Sequence, residues 1–218
     1  MRQVFILLVL SIFIGLQLPA QVKDIDGKWY RTMPYGKQTW MTQNLSVSRY
    51  RNGDTIPQVQ DYHAWSELTT GAWCYYQFDK KEIDSVHYGK LYNWYAVNDP
   101  RGLAPEGWHI PTEKEWQKLT VEVGGLETAY KMKTDTAWEY YNGYTGCGDN
   151  SSRFGALPGG ARDYTGDFGT AKYVGYWWTA TPSGKIRGWC YTMSYASKDV
   201  SRSEQRVNSG FSVRCVKD

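Results

Sequence analysis

The chain has 218 residues, with 25 Lys and Arg against 22 Asp and Glu and a formal net charge of +3. That imbalance is too small, and the basic residues are too scattered, for a nucleic-acid footprint; the length suits one domain behind a leader. The 11 Trp and 18 Tyr are abundant enough, at roughly 150–250 Å² buried per ring, to let a loop-rich fold remove sufficient apolar surface from water.

Residues 1–20 read as a secretory signal peptide: Arg2 precedes an apolar run from Val4 to Leu16, and Leu18-Pro19-Ala20 supplies a cleavage site after Ala20. The run falls short of the ~20 residues that span a bilayer, and no cysteine precedes Cys74, which excludes a lipid-modified cysteine at the cleavage site. The expected product is a single domain, residues 21–218, exported to the periplasm, the cell surface or the medium, with no membrane span and no lipid anchor.

Asp26-Gly27 and Pro34-Tyr35-Gly36 are turn signals between short alternating runs, so the domain is expected to open as a β-meander. In Tyr88–Val97, Leu91, Trp94 and Tyr95 fall near one side at helical spacing, which predicts a first helix. Thr112 and Glu115 form a T-x-x-E capping box ahead of Trp116, Leu119 and Val123, and Gly124-Gly125 ends the predicted second helix. Beyond Leu126 the helical period is lost, and Gly, Asn, Asp and Ser crowd 143–152. Strand signals return at Tyr176–Thr181, Gly188–Tyr195 and Phe211–Val216; in the last, Phe211, Val213 and Cys215 share one face, Ser212 and Arg214 the other.

Cys74, Cys147, Cys190 and Cys215 in an exported chain are expected to form two disulfides, with three pairings open. Cys74–Cys215 with Cys147–Cys190 is the preferred set. No CxxC spacing points to zinc or redox chemistry. His63, His87 and His109 are isolated, no G-x-S-x-G occurs, and Leu157-Pro158-Gly159-Gly160 lacks the pattern of a phosphate loop. The loop residues Asp149, Asn150, Asp163, Asp167 and Asp199 are the oxygen ligands a calcium ion would use.

The segments DIDGKWYRT (24–32), QTWMTQNL (38–45), YGKLYNWYAV (88–97), GWHIPTEKEW (107–116), ALPGGARD (156–163), GYWWTAT (175–181) and GFSVRC (210–215) occur in one order. Together they resemble the Fibrobacter succinogenes major paralogous domain of exported proteins of Fibrobacteres and Bacteroidetes. That family in turn resembles the formylglycine-generating-enzyme and sulfatase-modifying-factor group, through His109–Trp116 and Gly210–Arg214. The resemblance implies an α+β, C-type-lectin-like fold, with two helices packed on a twisted, mostly antiparallel sheet and long irregular loops. Relatives often carry Cys-Pro before GWH, where this chain has Ala104-Pro105, so the partner of Cys215 stays open. Copper-dependent oxidation of the formylglycine-generating type would need two neighbouring thiolates, for which Cys190 and Cys215 are the candidates.

The expected function is a non-catalytic binding module for a glycan or an extracellular or envelope protein. Its candidate contact residues are Tyr164, Phe168, Tyr173, Tyr176, Arg187, Trp189 and Tyr191, in the segment that C-type-lectin-like folds use for ligands. The alternative is a structural subunit or decoration of a cell-surface assembly.

Overall fold

The computed structural model describes residues 20–76, 88–125 and 127–218. Most of the expected signal segment and His87 therefore lie outside the described residues. A five-stranded sheet has the order β1 (Gln21–Lys23), β2 (Trp29–Tyr35), β3 (Gln38–Met41), β14 (Val216–Lys217), β6 (Trp108–His109). All of its pairings are antiparallel. A second antiparallel sheet joins β11 (Val174–Pro182), β12 (Arg187–Ser194) and β13 (Val200–Arg206). Two-stranded ribbons pair β4 (Trp73–Cys74) with β5 (Leu91–Tyr92), β7 (Tyr140–Tyr141) with β8 (Tyr144–Thr145), and β9 (Ala161–Arg162) with β10 (Phe168–Gly169).

The helices are α1 (Tyr62–Ser66), α2 (Trp94–Val97), α3 (Glu113–Val123) and α4 (Thr128–Met132). Among the described residues only α3, at 11 residues, exceeds two turns. The fold is thus mainly β, and the expected α+β, C-type-lectin-like pair of helices on one sheet is overturned. The departure is at 88–97. Leu91 and Tyr92 are drawn into a ribbon with Cys74 and Trp73, Tyr92 also bridges Phe211, and both side chains are buried. Asn93 then caps the short α2 by accepting from Ala96 N–H. Apolar residues buried on both sides of a short strand mimic a helical stripe.

The second helix forms as the sequence predicts. Thr112 accepts from Glu115 N–H while the Glu115 carboxylate accepts from Thr112 N–H at 2.7 Å, so two orphan donors of the first turn are satisfied. Gly124 ends it at φ 121°, a backbone angle that a side chain would strain. The N-terminal meander also forms, and Trp40 of β3 pairs with Val216 of β14. Residues 211–216 depart from a simple two-faced strand, because every one of them is buried. Their polar face, Ser212 and Arg214, looks into the protein.

Large rings fill the interior, and Trp40, Trp65, Trp116, Trp177 and Trp178 are fully buried. They divide among three clusters. One gathers Tyr92, Trp178, Phe211 and Val213, a second Trp40, Trp116, Phe154 and Trp177, and a third Trp65, Ala72, Cys74 and Leu91. Among the described residues, no helix is long and apolar enough to cross a membrane.

This partition corrects the disulfide expectation. All four cysteines are free. Cys74 sits in the third cluster, Cys215 and Cys190 in the first, and Cys147 against the second. Both preferred pairs would join residues of different clusters. Burial pushes the Cys74 and Cys190 thiols up to about 12 and Cys215 higher still. Excess dithiothreitol is therefore expected to leave the melting temperature unchanged. A thiol reagent should label only the half-buried Cys147 in the native protein and all four in denaturant; fewer than four in unreduced denatured protein would restore a bridge.

Candidate functional site

Four of the seven ordered segments meet at one side chain. Asn44, from QTWMTQNL, is buried. Its Oδ1 accepts from Arg214 Nε at 2.7 Å and from Trp177 Nε1 at 2.9 Å, and its amide donates to Tyr88 O at 2.8 Å and Ser212 Oγ at 3.2 Å. Arg214 is fully buried with no carboxylate partner among the described residues. It donates instead to the carbonyls of Met41, Phe154 and Gly155 at 3.2, 2.9 and 2.9 Å. Burial pulls its pKa down to about 9, which leaves it charged at neutral pH.

A second buried arginine builds the loop that carries the sequence-derived contact residues. Arg162, at the end of ALPGGARD, donates to Gly166 O at 2.9 Å, Val59 O at 2.7 Å and Gln60 O at 2.9 Å, and its guanidinium lies 4.5 and 4.7 Å from the Trp65 and Phe168 ring centres. Inside the loop, Asp163 Oδ1 accepts from the N–H groups of Thr165, Gly166 and Asp167. Gly166 has φ 99°, and a Cβ there would run into the Tyr62 carbonyl. The loop from 163 to 170 is therefore held from beneath and from within.

On this frame sits a cleft of ≈ 290 Å³, lined by Tyr164, Phe168, Tyr176 and Phe211 with the polar groups of Asp163, Asp167 and Gln205. Tyr176 stacks on Phe211 at 4.9 Å and 15°. Tyr164 is 46% exposed, with the Arg206 guanidinium 4.7 Å from its ring centre. Beyond the ridge of Asp167 and Phe168 lies a second hollow, walled by Gln60, Asp61 and Tyr62.

The structure thus brings together three of the seven sequence-derived residues, Tyr164, Phe168 and Tyr176. Tyr173 lies elsewhere, edge-on to Tyr195, which in turn meets Tyr141. Arg187, Trp189 and Tyr191 share one face of β12, but that face runs from solvent into the core. Arg187 is exposed, Trp189 is half-buried beneath Arg202, and Tyr191 is only 5% exposed, stacked on Trp116 at 5.0 Å. Tyr191 is a core residue. Sequence reasoning missed Tyr62, whose signal was the Asp61 cap of α1, and Gln205 and Phe211, which reach the cleft only through tertiary pairing.

The calcium candidates accept hydrogen bonds from the protein itself, Asp163 from three N–H groups of its own loop and Asp167 from the Thr165 hydroxyl. Asp149 takes Ser151 N–H, Asn150 takes Gly155 N–H, and Asp199 takes Glu127 N–H. No group of three His, Cys, Asp or Glu able to hold a metal ion occurs among the described residues. His109 lies between Asp218 at 2.6 Å and Glu115 at 2.8 Å. Partial burial disfavours its charged form, but the two carboxylates outweigh that and raise its pKa.

A family model for the Fibrobacter succinogenes major domain matches residues 33–217. The chain belongs to that family. Among curated proteins and solved structures, none matches it. Of the segments of this Fibrobacter succinogenes major domain read from the sequence, only 24–32 lies ahead of the matched range. The two buried arginines and Asn44 all fall inside it.

Proposed function

We propose that this Fibrobacter succinogenes major domain is an exported, non-catalytic binding module that takes the face of a sugar ring against Tyr164 and Phe168. The observation that carries this reading is the co-location of aromatic surfaces with carboxylate and amide groups on a loop pinned by Arg162. Rings supply apolar contact with the C–H face of a sugar, and Asp163, Asp167 and Gln205 supply hydrogen bonds to its hydroxyls. Preorganisation limits the ordering cost of binding.

Glycan-array screening followed by titration of any hit tests the reading. Tyr164→Ala should weaken binding about tenfold, equivalent to ~1.4 kcal/mol, with the melting temperature preserved because Tyr164 is half exposed. A silent array, or a hit indifferent to Tyr164→Ala, removes it. The alternative of a structural subunit is favoured by one observation, the β7–β8 hairpin, where Tyr140 is 67% and Tyr144 79% exposed. Co-purification of an envelope protein that depends on Tyr144 would select that reading. Kinship with the formylglycine-generating group rests on the segments at 109–116 and 210–214. Its oxidase chemistry is not carried over, since it needs accessible thiolates and Cys190 and Cys215 are both fully buried.

A further inference from the structure

A larger hollow of ≈ 680 Å³ opens between the β2–β3 hairpin and the 150–157 segment, and it shares no lining residue with the aromatic cleft. That is within the usual size range of ligand clefts, about 300–1,000 Å³. Its charged lining is Lys28, Arg31, Arg153 and Arg214, with no Asp or Glu. Arg31 and Arg153 are exposed and form no ion pair among the described residues. Lys28 is partly countered by Asp24.

The neutral lining is biased in the same direction. Gln43 Oε1 accepts from Arg31 N–H at 2.8 Å, and Asn150 Oδ1 accepts from Gly155 N–H at 2.9 Å, so the acceptor end of each amide is already used. Their NH₂ groups remain as donors. Below them Arg214 brings a buried positive charge that only neutral acceptors satisfy. A pocket whose charged lining is all cationic, and whose two amides present their NH₂ ends, discriminates for an anion.

Arg153 adopts φ 59° and Asn150 φ 50°. Asn tolerates the left-handed region, whereas Arg is strained there and Gly would not be. Replacing Arg153 by Gly would therefore remove the charge while relieving the backbone.

We infer that this hollow binds an oxyanion, a carboxylate or a sulfate ester, through Arg31, Arg153, Lys28 and the two amides. Guanidinium forks match the paired oxygens of both groups. The inference rests on this hollow alone and does not require the aromatic cleft to bind.

Calorimetric titration of the whole mature chain at low ionic strength tests it, with digalacturonate, galactose 6-sulfate and neutral galactose as probes. At least one anion should bind saturably and at least tenfold tighter than galactose, and should weaken as salt is added. Digalacturonate alone would assign the carboxylate, galactose 6-sulfate alone the sulfate ester, and both the oxyanion itself. The double variant R31A/R153A should lose at least tenfold in affinity. Arg153→Gly should weaken binding while its melting temperature holds or rises, an outcome that misfolding cannot imitate. Neither anion binding, galactose binding equally well, or variants binding like the parent overturns the inference. Tyr164→Ala should leave anion binding intact, so failure of the aromatic cleft and failure of this hollow are separately visible.

Discussion

Exchanging Arg214 for Met is expected to lower the unfolding free energy by on the order of 5 kcal/mol, read as a shift in the denaturant midpoint. The guanidinium serves four acceptors, namely Asn44 Oδ1 and the carbonyls of Met41, Phe154 and Gly155. Each buried acceptor left without a donor costs about 1–3 kcal/mol, and the apolar stem of Met recovers part of the lost packing. The loss approaches the whole stability of an ordinary domain, about 5–15 kcal/mol. Arg214→Lys is the informative control. It keeps the charge but concentrates three donors at one point, so it cannot span acceptors on residues 41, 44 and 154–155. It should recover only a minor share. A Met variant with the parent midpoint would mean that the arginine is not what joins these segments.

Trp116→Ala should destabilise by about 3–5 kcal/mol, with the native aromatic near-ultraviolet signal reduced out of proportion to one lost indole. Trp116 is fully buried, stacked on Tyr191 at 5.0 Å and 10°, and edge-on to Trp40 at 5.1 Å and Phe154 at 5.8 Å. Truncation removes the ring that joins α3 to both large sheets. Neighbours on different sheets cannot collapse into the space without shifting the sheets themselves. Trp116→Phe should retain more than half of the stability lost on truncation. A loss below about 1 kcal/mol for Ala would place the helix at the periphery of the core.

How much of this was legible in the sequence depended on the range of the interaction. The α3 start is written in four consecutive residues, Thr112–Glu115, and the meander in turn residues a few positions apart, so both could be read locally. The β4–β5 ribbon could not, because Leu91 is paired by Cys74 and Tyr92 by Phe211. Nothing within 88–97 announces those partners. The thiols fail for a related reason: export favours pairing in general, but no local pattern states which cluster each cysteine joins. On β12 the alternation of Arg187, Trp189 and Tyr191 was visible, yet which end α3 would cover was not. The aromatic cleft was half legible for the same reason, with Tyr164 and Phe168 on one loop and Phe211 and Gln205 arriving from elsewhere. The donor-lined hollow carries no contiguous motif at all.

The Asn44–Arg214 contact spans 170 positions of sequence, and β14 fills the place between β3 and β6. Closing loops of that length is entropically slow, and it sets the pace of assembly more than local propensity does. A polypeptide emerging from the ribosome amino end first must therefore keep the 38–41 ladder unpaired on one side until residues 216–217 emerge. Throughout that interval the open rim is a docking place for holding chaperones and for the strands of other nascent molecules.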